Sequence, residues 1–183
     1  MAKRKQLSTI EQTVLGIVWL IGPCTTYGVM RELKSSSSTY YRNRAGTTYP
    51  TVERLVKGGL LDYCEEGVGA RKERRLVITS AGVSQLTEWL KPPTPEAEIR
   101  FSRDLLRLRI NFLGALPREL RQPFLTSARA TLESFLQECE AVVAGDGEDA
   151  DPFVLLANRG VIHETRARIA WLDEITPIIL SLP

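Results

Sequence analysis

Apolar positions recur at helical spacing in three stretches before residue 60, give way to two short strand candidates, and return to helical spacing beyond residue 96. Ile10, Val14, Ile17, Val18 and Ile21 form the first stripe. Ser8-Thr9-Ile10-Glu11 opens it as a capping box, in which the serine oxygen accepts the N3 amide and the glutamate reaches back to the cap. Gly22-Pro23 ends this helix, and Thr25 or Thr26 caps a second one through Tyr27 to Leu33. Ser35 to Ser38, set between Lys34 and Thr39, are too polar to pack and are predicted as a connector. A third helix is expected from near Asn43 or Arg44 to the Gly58-Gly59 stop. At ~100° per residue, Thr48, Val52, Leu55 and Val56 share one face of it, and Thr47, Pro50, Arg54 and Lys57 the other. One side packs; the other is small, polar and basic.

Leu60 to Glu65 and Arg74 to Thr79 are the strand candidates, joined by a loop from Glu66 to Glu73 that carries two glycines and the basic Arg71 and Lys72. Thr79 caps a fourth helix through Leu90, with Val83, Leu86, Trp89 and Leu90 available for packing. A short amphipathic helix that stops at a glycine pair and runs into a basic hairpin is how a DNA-reading helix joins its wing. Residues 1–91 therefore read as a winged helix-turn-helix domain, with residues 92–95 as a proline-rich linker.

Residues 96–183 are helical in character. Phe101, Leu105, Leu108, Phe112 and Leu116 repeat as a packing seam requires. A helix from about Pro117 to Val143 follows, which Pro123 is expected to bend or divide, and then an acidic loop from Asp146 to Asp149. Asp151-Pro152 is a cap followed by proline at the first helical position. The last helix carries Leu155, Ile162 and Ile169 at sevens, then Leu172, Ile175, Ile178, Ile179 and Leu182, and Thr176-Pro177 should kink or end it. A helix pair cannot bury several seams alone. The expectation is a coiled-coil-like helical dimerisation domain, the alternative being packing on the first helix of the winged domain. The fold class is thus mainly α with a small β-wing.

Composition changes this picture little. Apolar residues make up 43% and charged residues 25% of the 183, which is ordinary for a globular protein. No apolar run approaches the ~20 residues that span a bilayer, and no secretory signal is evident, so a cytoplasmic location is expected. Charge is uneven: residues 1–91 carry 14 Lys and Arg against 8 Asp and Glu, and residues 92–183 carry 10 against 14. A basic half suits a polyanion partner through counterion release; a chance surface imbalance is the alternative. Cys24, Cys64 and Cys139 lie far apart without a Cys-x-x-Cys pair, which argues against a disulfide framework and a zinc site. A redox role for Cys64 is the minor alternative to a plain free thiol. His163 has no ligand-spaced neighbours, and no phosphate loop, nucleophile elbow or dinucleotide fingerprint is present. Neither an enzyme, a metal nor a cofactor is expected.

The residues resemble the PadR family of winged-helix transcriptional regulators over nearly the whole chain. The resemblance is carried by Tyr27-Gly28, Gly46-Thr47-Thr48-Tyr49-Pro50, Glu53-Arg54-Leu55, Gly59-Leu60-Leu61 and Val77-Ile78-Thr79-Ser80-Ala81-Gly82. Ala170-Trp171-Leu172-Asp173-Glu174 looks like the end of the helical dimerisation domain of the family's longer members. Thr48 stands where the family usually has an apolar residue, and Leu76 replaces an aromatic common on the second wing strand. The resemblance implies a homodimeric repressor on a pseudo-palindromic operator in double-stranded DNA, with half-sites about one turn apart.

In that reading the DNA-binding candidates are Tyr27, Arg44, Thr47, Thr48, Tyr49, Thr51, Arg54, Arg71, Lys72 and Arg74. Thr47 and Thr51 have short hydroxyls for base edges or phosphates, and Tyr49 offers its hydroxyl to a phosphate. Arg54 and Lys57 suit phosphate contact or simple solvation at a helix C-terminus. Arg71, Lys72 and Arg74 beside the glycine turn can follow the minor groove or backbone, and Lys3, Arg4 and Lys5 form either an arm to phosphates or a plain tail. Some PadR-like regulators bind flat aromatic compounds in an apolar dimer pocket, and Trp89 resembles that arrangement; packing is its alternative, and the default for Trp19 and Trp171. The other class of function compatible with the fold is a winged-helix module for protein assembly without specific DNA binding.

Overall fold

The computed structural model describes residues 7–36, 38–66, 73–94, 104–145 and 150–183. The chain divides into two compact units, Met1–Ile99 and Arg100–Pro183. Among the described residues the first holds α1 (Thr9–Ile21), α2 (Thr26–Ser35), α3 (Thr39–Arg44), a 3-10 turn (Ala45–Thr47), α4 (Thr48–Lys57), β1 (Leu61–Glu66), β2 (Glu73–Ile78) and α5 (Ser80–Leu90). The second holds α6 (Leu105–Asn111), a 3-10 turn (Leu113–Ala115), α7 (Arg118–Gly145) and α8 (Pro152–Ser181). Among the described residues the fold is mainly helical with one two-stranded sheet.

In the first unit, α1 starts as expected: the Ser8 amide and hydroxyl both donate to Glu11 Oε2, at 2.9 and 2.8 Å. Its deeply buried residues are Ile10, Val14, Leu15 and Val18, so Leu15 belongs to the stripe while Ile17 and Ile21 flank it. Thr25 caps α2 by accepting from the Gly28 amide. The stop after α4 is a Schellman motif: Gly59 takes φ +70°, its amide donates to the Val56 carbonyl, and the Leu60 amide donates to the Leu55 carbonyl, each at 2.9 Å.

β1 and β2 are antiparallel, from Leu61 opposite Ile78 to Glu66 opposite Glu73, one residue from the expected bounds. The other edge of β2 is also paired. Cys24 exchanges backbone hydrogen bonds with Leu76, at 3.1 and 2.7 Å, which ties the turn after α1 to the wing. Cys24 is buried, and that burial pushes its thiol up from the ordinary range. The three cysteines form no disulfide. Thr79 caps α5 at the Gly82 amide and anchors it by donating to the Gly59 carbonyl at 2.7 Å.

Two sequence expectations of this unit are corrected. The serine run does not lead loosely to a long third helix: Ser35 ends α2, and Thr39–Arg44 is a separate one-turn helix before the 3-10 turn. Arg44 therefore closes α3 and does not start the helix that runs to the Gly58-Gly59 stop, which begins at Thr48. Trp19 is 54% exposed, so it is not a core residue.

In the second unit α7 and α8 run antiparallel, with Arg118 at Leu180, Arg129 at Asp173 and Glu140 at Arg166. Their core is Leu113, Leu125, Leu132 and Leu172, with Leu106, Ile110, Phe124, Ile169 and Ile175 packed on it. Pro123 and Pro177 both sit inside continuous helices, so neither divides or ends its helix. Asp151 caps α8 through the Phe153 and Val154 amides. Of the expected seam, Leu116 packs on this core with Leu106 and Ile110 of the adjoining face, while Leu105, Leu108 and Phe112 are exposed in the single chain. Phe101 lies outside the described residues. No described helix is long and apolar enough to cross a membrane.

Candidate nucleic-acid interface

The surface of α4 follows from its burial pattern. Thr48, Thr51, Val52 and Leu55 are buried, and Val52 and Leu55 join the core that Val14, Val29 and Leu33 also form. That fixes the helix on its scaffold. Thr47, Tyr49, Pro50, Glu53, Arg54 and Lys57 are left exposed. Tyr49 is 54% exposed and Tyr27, in the first turn of α2, is 61% exposed. Both phenol groups are exposed, and a phenol hydroxyl is a group suited to phosphate contact.

Thr48 and Thr51 are corrections to the candidate set. Both are 0% exposed, and their hydroxyls are spent inside the fold: Thr48 Oγ1 donates to the Ala45 carbonyl at 2.6 Å and Thr51 Oγ1 to the Thr47 carbonyl at 2.8 Å. The helix starts at Thr48 and not near Arg44, and threonine buries its methyl readily once a main-chain carbonyl takes its hydroxyl. Neither side chain is exposed on the outer face of α4. Thr47, at the cap position, stays exposed, although its hydroxyl donates to the Arg44 carbonyl at 2.7 Å.

Arg54 is exposed but engaged. Its Nε donates to Glu11 Oε1 on α1 at 2.9 Å and its Nη2 to Thr51 Oγ1 at 3.1 Å. Burial alone would raise the Glu11 carboxyl, yet the hydrogen bonds from Ser8 and Arg54 hold it below the ordinary carboxylate range. Lys57 at the end of α4 is exposed.

On the wing, Arg74 is exposed with its guanidinium 4.2 Å from the Tyr63 ring centroid, a stacking contact that stiffens it. Arg71 and Lys72 lie outside the described residues, as do Lys3, Arg4 and Lys5. Arg44 stacks 3.9 Å over the Tyr40 ring at the end of α3. That helix also exposes Arg42 and Asn43, which sequence reasoning missed because six residues without an apolar period look like a connector. The basic end Arg42-Asn43-Arg44 was the available signal. Trp89 is 36% exposed on α5, and Leu90 beside it 68%. Among the described residues no group of three or more His, Cys, Asp or Glu is placed to hold a metal ion.

A buried-backed helix with a small polar outer face, followed by a paired hairpin, defines a winged helix-turn-helix fold carrying a C-terminal helical unit. That arrangement is the fold of PadR-like regulators. Bacillus subtilis PadR in complex with operator DNA superposes with a TM-score of 0.76 at 18% identity, over 94% of this chain and 99% of that one. The same protein in complex with p-coumaric acid gives 0.73 at 18% identity, over 94% and 99%. The Vibrio cholerae virulence activator AphA gives 0.60 at 22% identity, over 94% and 96%. No family model and no curated protein matches the sequence.

Proposed function

We propose that this chain is a cytoplasmic, sequence-specific DNA-binding regulator of transcription, acting as a homodimeric repressor on a pseudo-palindromic operator. The observation that carries this reading is the exposed face of α4, where Thr47, Tyr49 and Pro50 leave room for close docking against a groove. Tyr27 and Arg74 flank it with groups suited to phosphate. The PadR structure with operator DNA supports the same assignment by likeness of fold.

The helical unit is the proposed dimerisation element. Leu105, Leu108 and Phe112 on and after α6, and Phe153 and Leu156 on α8, are all at least 48% exposed in the single chain. Apolar side chains at that density favour a second copy over water. A small aromatic effector that modulates DNA binding is the further partner, with Trp89 as the side chain proposed to touch it. The p-coumaric acid complex of PadR supports that class of ligand.

The test is binding of the purified protein to DNA from its own promoter region, by anisotropy across salt, with Thr47→Ala, Tyr49→Ala and Arg74→Ala alongside. Operator binding should be at least ~10³-fold tighter than to random duplex and weakened by each change. Arg74→Ala should lower the salt slope by about one. Binding no tighter than to random duplex, and indifferent to the three changes, would overturn the reading in favour of a protein-assembly module.

A further inference from the structure

The contact between α1 and Arg54 reaches beyond packing. Glu11 and Arg54 are 43 residues apart, yet Glu11 Oε1 accepts from Arg54 Nε at 2.9 Å while Oε2 accepts from the Ser8 amide and hydroxyl at 2.9 and 2.8 Å. The Glu11 side chain is 18% exposed and that of Arg54 54%. The carboxylate is therefore the fixed partner, held by its own helix cap, and the arginine comes to it. On the other side Arg54 Nη2 donates to Thr51 Oγ1 at 3.1 Å, and that hydroxyl is fully buried. Two anchors on different elements thus restrain a guanidinium on the exposed flank of α4. Glu53, next to Arg54 in the chain and also exposed, does not supply the partner.

We infer that Glu11 is a positioning residue for DNA discrimination: by neutralising and restraining Arg54, it keeps that cation from grasping phosphates on unrelated DNA. This rests on the DNA-binding reading above. An unrestrained arginine on a docking helix can follow any backbone, which raises sequence-independent affinity. In the operator complex the helix is already held by its specific contacts, so a freed Arg54 adds less there and loses its preset geometry. Glu11 therefore widens the gap between operator and random duplex without touching either.

The experiment compares wild type, Glu11→Gln, Arg54→Gln and the double variant on operator and on random duplex of equal length, across salt. Glutamine preserves the capping role of Glu11, so the fold is retained; thermal unfolding checks this. Glu11→Gln should bind random duplex roughly fivefold to tenfold more tightly at ~0.1 M salt, with a slope steeper by about one. Its operator affinity should change less than about twofold, so discrimination falls severalfold. The double variant should return random-duplex affinity and slope to wild type. Equal tightening on both duplexes, an unchanged slope, or a double variant as tight as Glu11→Gln would overturn the inference while leaving the regulator reading intact. A wild type that binds no DNA selectively removes both together.

Discussion

Gly82 sits where the wing meets α5, and placing a methyl group there should be among the most damaging small changes in the first unit. An ideal Cβ at Gly82 would lie 2.2 Å from the Leu60 carbonyl oxygen, 2.7 Å from Ile78 Cγ1 and 3.1 Å from the Leu60 carbonyl carbon. The carbonyl cannot retreat cheaply. It accepts the Thr79 amide at 3.1 Å and the Thr79 hydroxyl at 3.2 Å, and Thr79 in turn caps α5 at the Gly82 amide. Relieving the clash means moving α5 away from the start of β1, which breaks those bonds. Overpacking costs ~1–3 kcal/mol and loss of a threonine cap ~1 kcal/mol, so Gly82→Ala should destabilise by about 3 kcal/mol. With a urea slope of ~1.5 kcal/mol/M, the midpoint of the first unit falls by about 2 M. Gly16→Ala is the control. Its Cβ would meet only Leu86 Cδ1, at 3.9 Å, inside α1, where alanine gains up to ~1 kcal/mol over glycine. Urea unfolding followed by circular dichroism measures both. A Gly82→Ala midpoint within ~0.3 M of wild type, against the ~2 M expected, would refute the steric argument.

The burial of α4 separates two of its neighbouring side chains. Thr48→Val removes the hydroxyl bonded to the Ala45 carbonyl and should cost about 1 kcal/mol of stability while leaving operator affinity unchanged; Tyr49→Phe should do the reverse, weakening operator binding severalfold with an unchanged melting temperature. A Thr48→Val variant that folds normally but loses its operator would show that Thr48 reaches DNA after all. Acid should loosen the second unit through Asp104. Burial by itself would raise that carboxyl, but the Arg107 amide, the Arg168 guanidinium at 2.5 Å and the charges of both arginines hold it below the ordinary range. A depressed folded pKa stabilises fully above the unfolded value of ~3.9 and is lost as pH falls through the lower folded value. The urea midpoint should therefore drop between pH ~5 and pH ~3, and Asp104→Asn should flatten that drop; an equally steep drop in Asp104→Asn would exclude this carboxylate as a cause.

What was legible in the sequence was local and punctuated. The Ser8 box, the Thr79 and Asp151 caps and the Gly58-Gly59 stop each occupy a position where one side chain, or the lack of one, satisfies specific backbone groups. Such signals need no tertiary knowledge. The order of the other helices and the strands in the first unit followed from them, and the string Val77 to Gly82 now has a physical cause at its last residue, because only a hydrogen fits against the Leu60 carbonyl. The short helix Thr39–Arg44 was not legible, since it has neither an apolar period nor a cap that sets it apart from a serine-rich connector. Nor was the pairing of Cys24 with Leu76, a contact across 52 residues that a two-residue segment cannot announce.

The candidate interface divides along the same line. Helical projection placed Thr48 on the packed face and Thr47 on the outer one, which the burial of Thr48 and exposure of Thr47 match. Chemistry alone then keeps Thr48 in the DNA-binding set and gives Thr51 a contact to base edges or phosphates, because a hydroxyl on such a helix suits either. Main-chain carbonyls one turn earlier claim both hydroxyls, and two buried threonines cost little once those bonds are made. Glu11 shows the converse. It reads from sequence as a capping residue and nothing more, because its second partner, Arg54, becomes a neighbour only when α1 and α4 pack. One Glu11 oxygen serves the local cap and the other Arg54 of α4, so a single side chain couples the start of α1 to a cation on the exposed flank of α4. A periodicity argument sees the first role and is blind to the second, and the second is the one through which a residue off the interface can shape what the interface accepts.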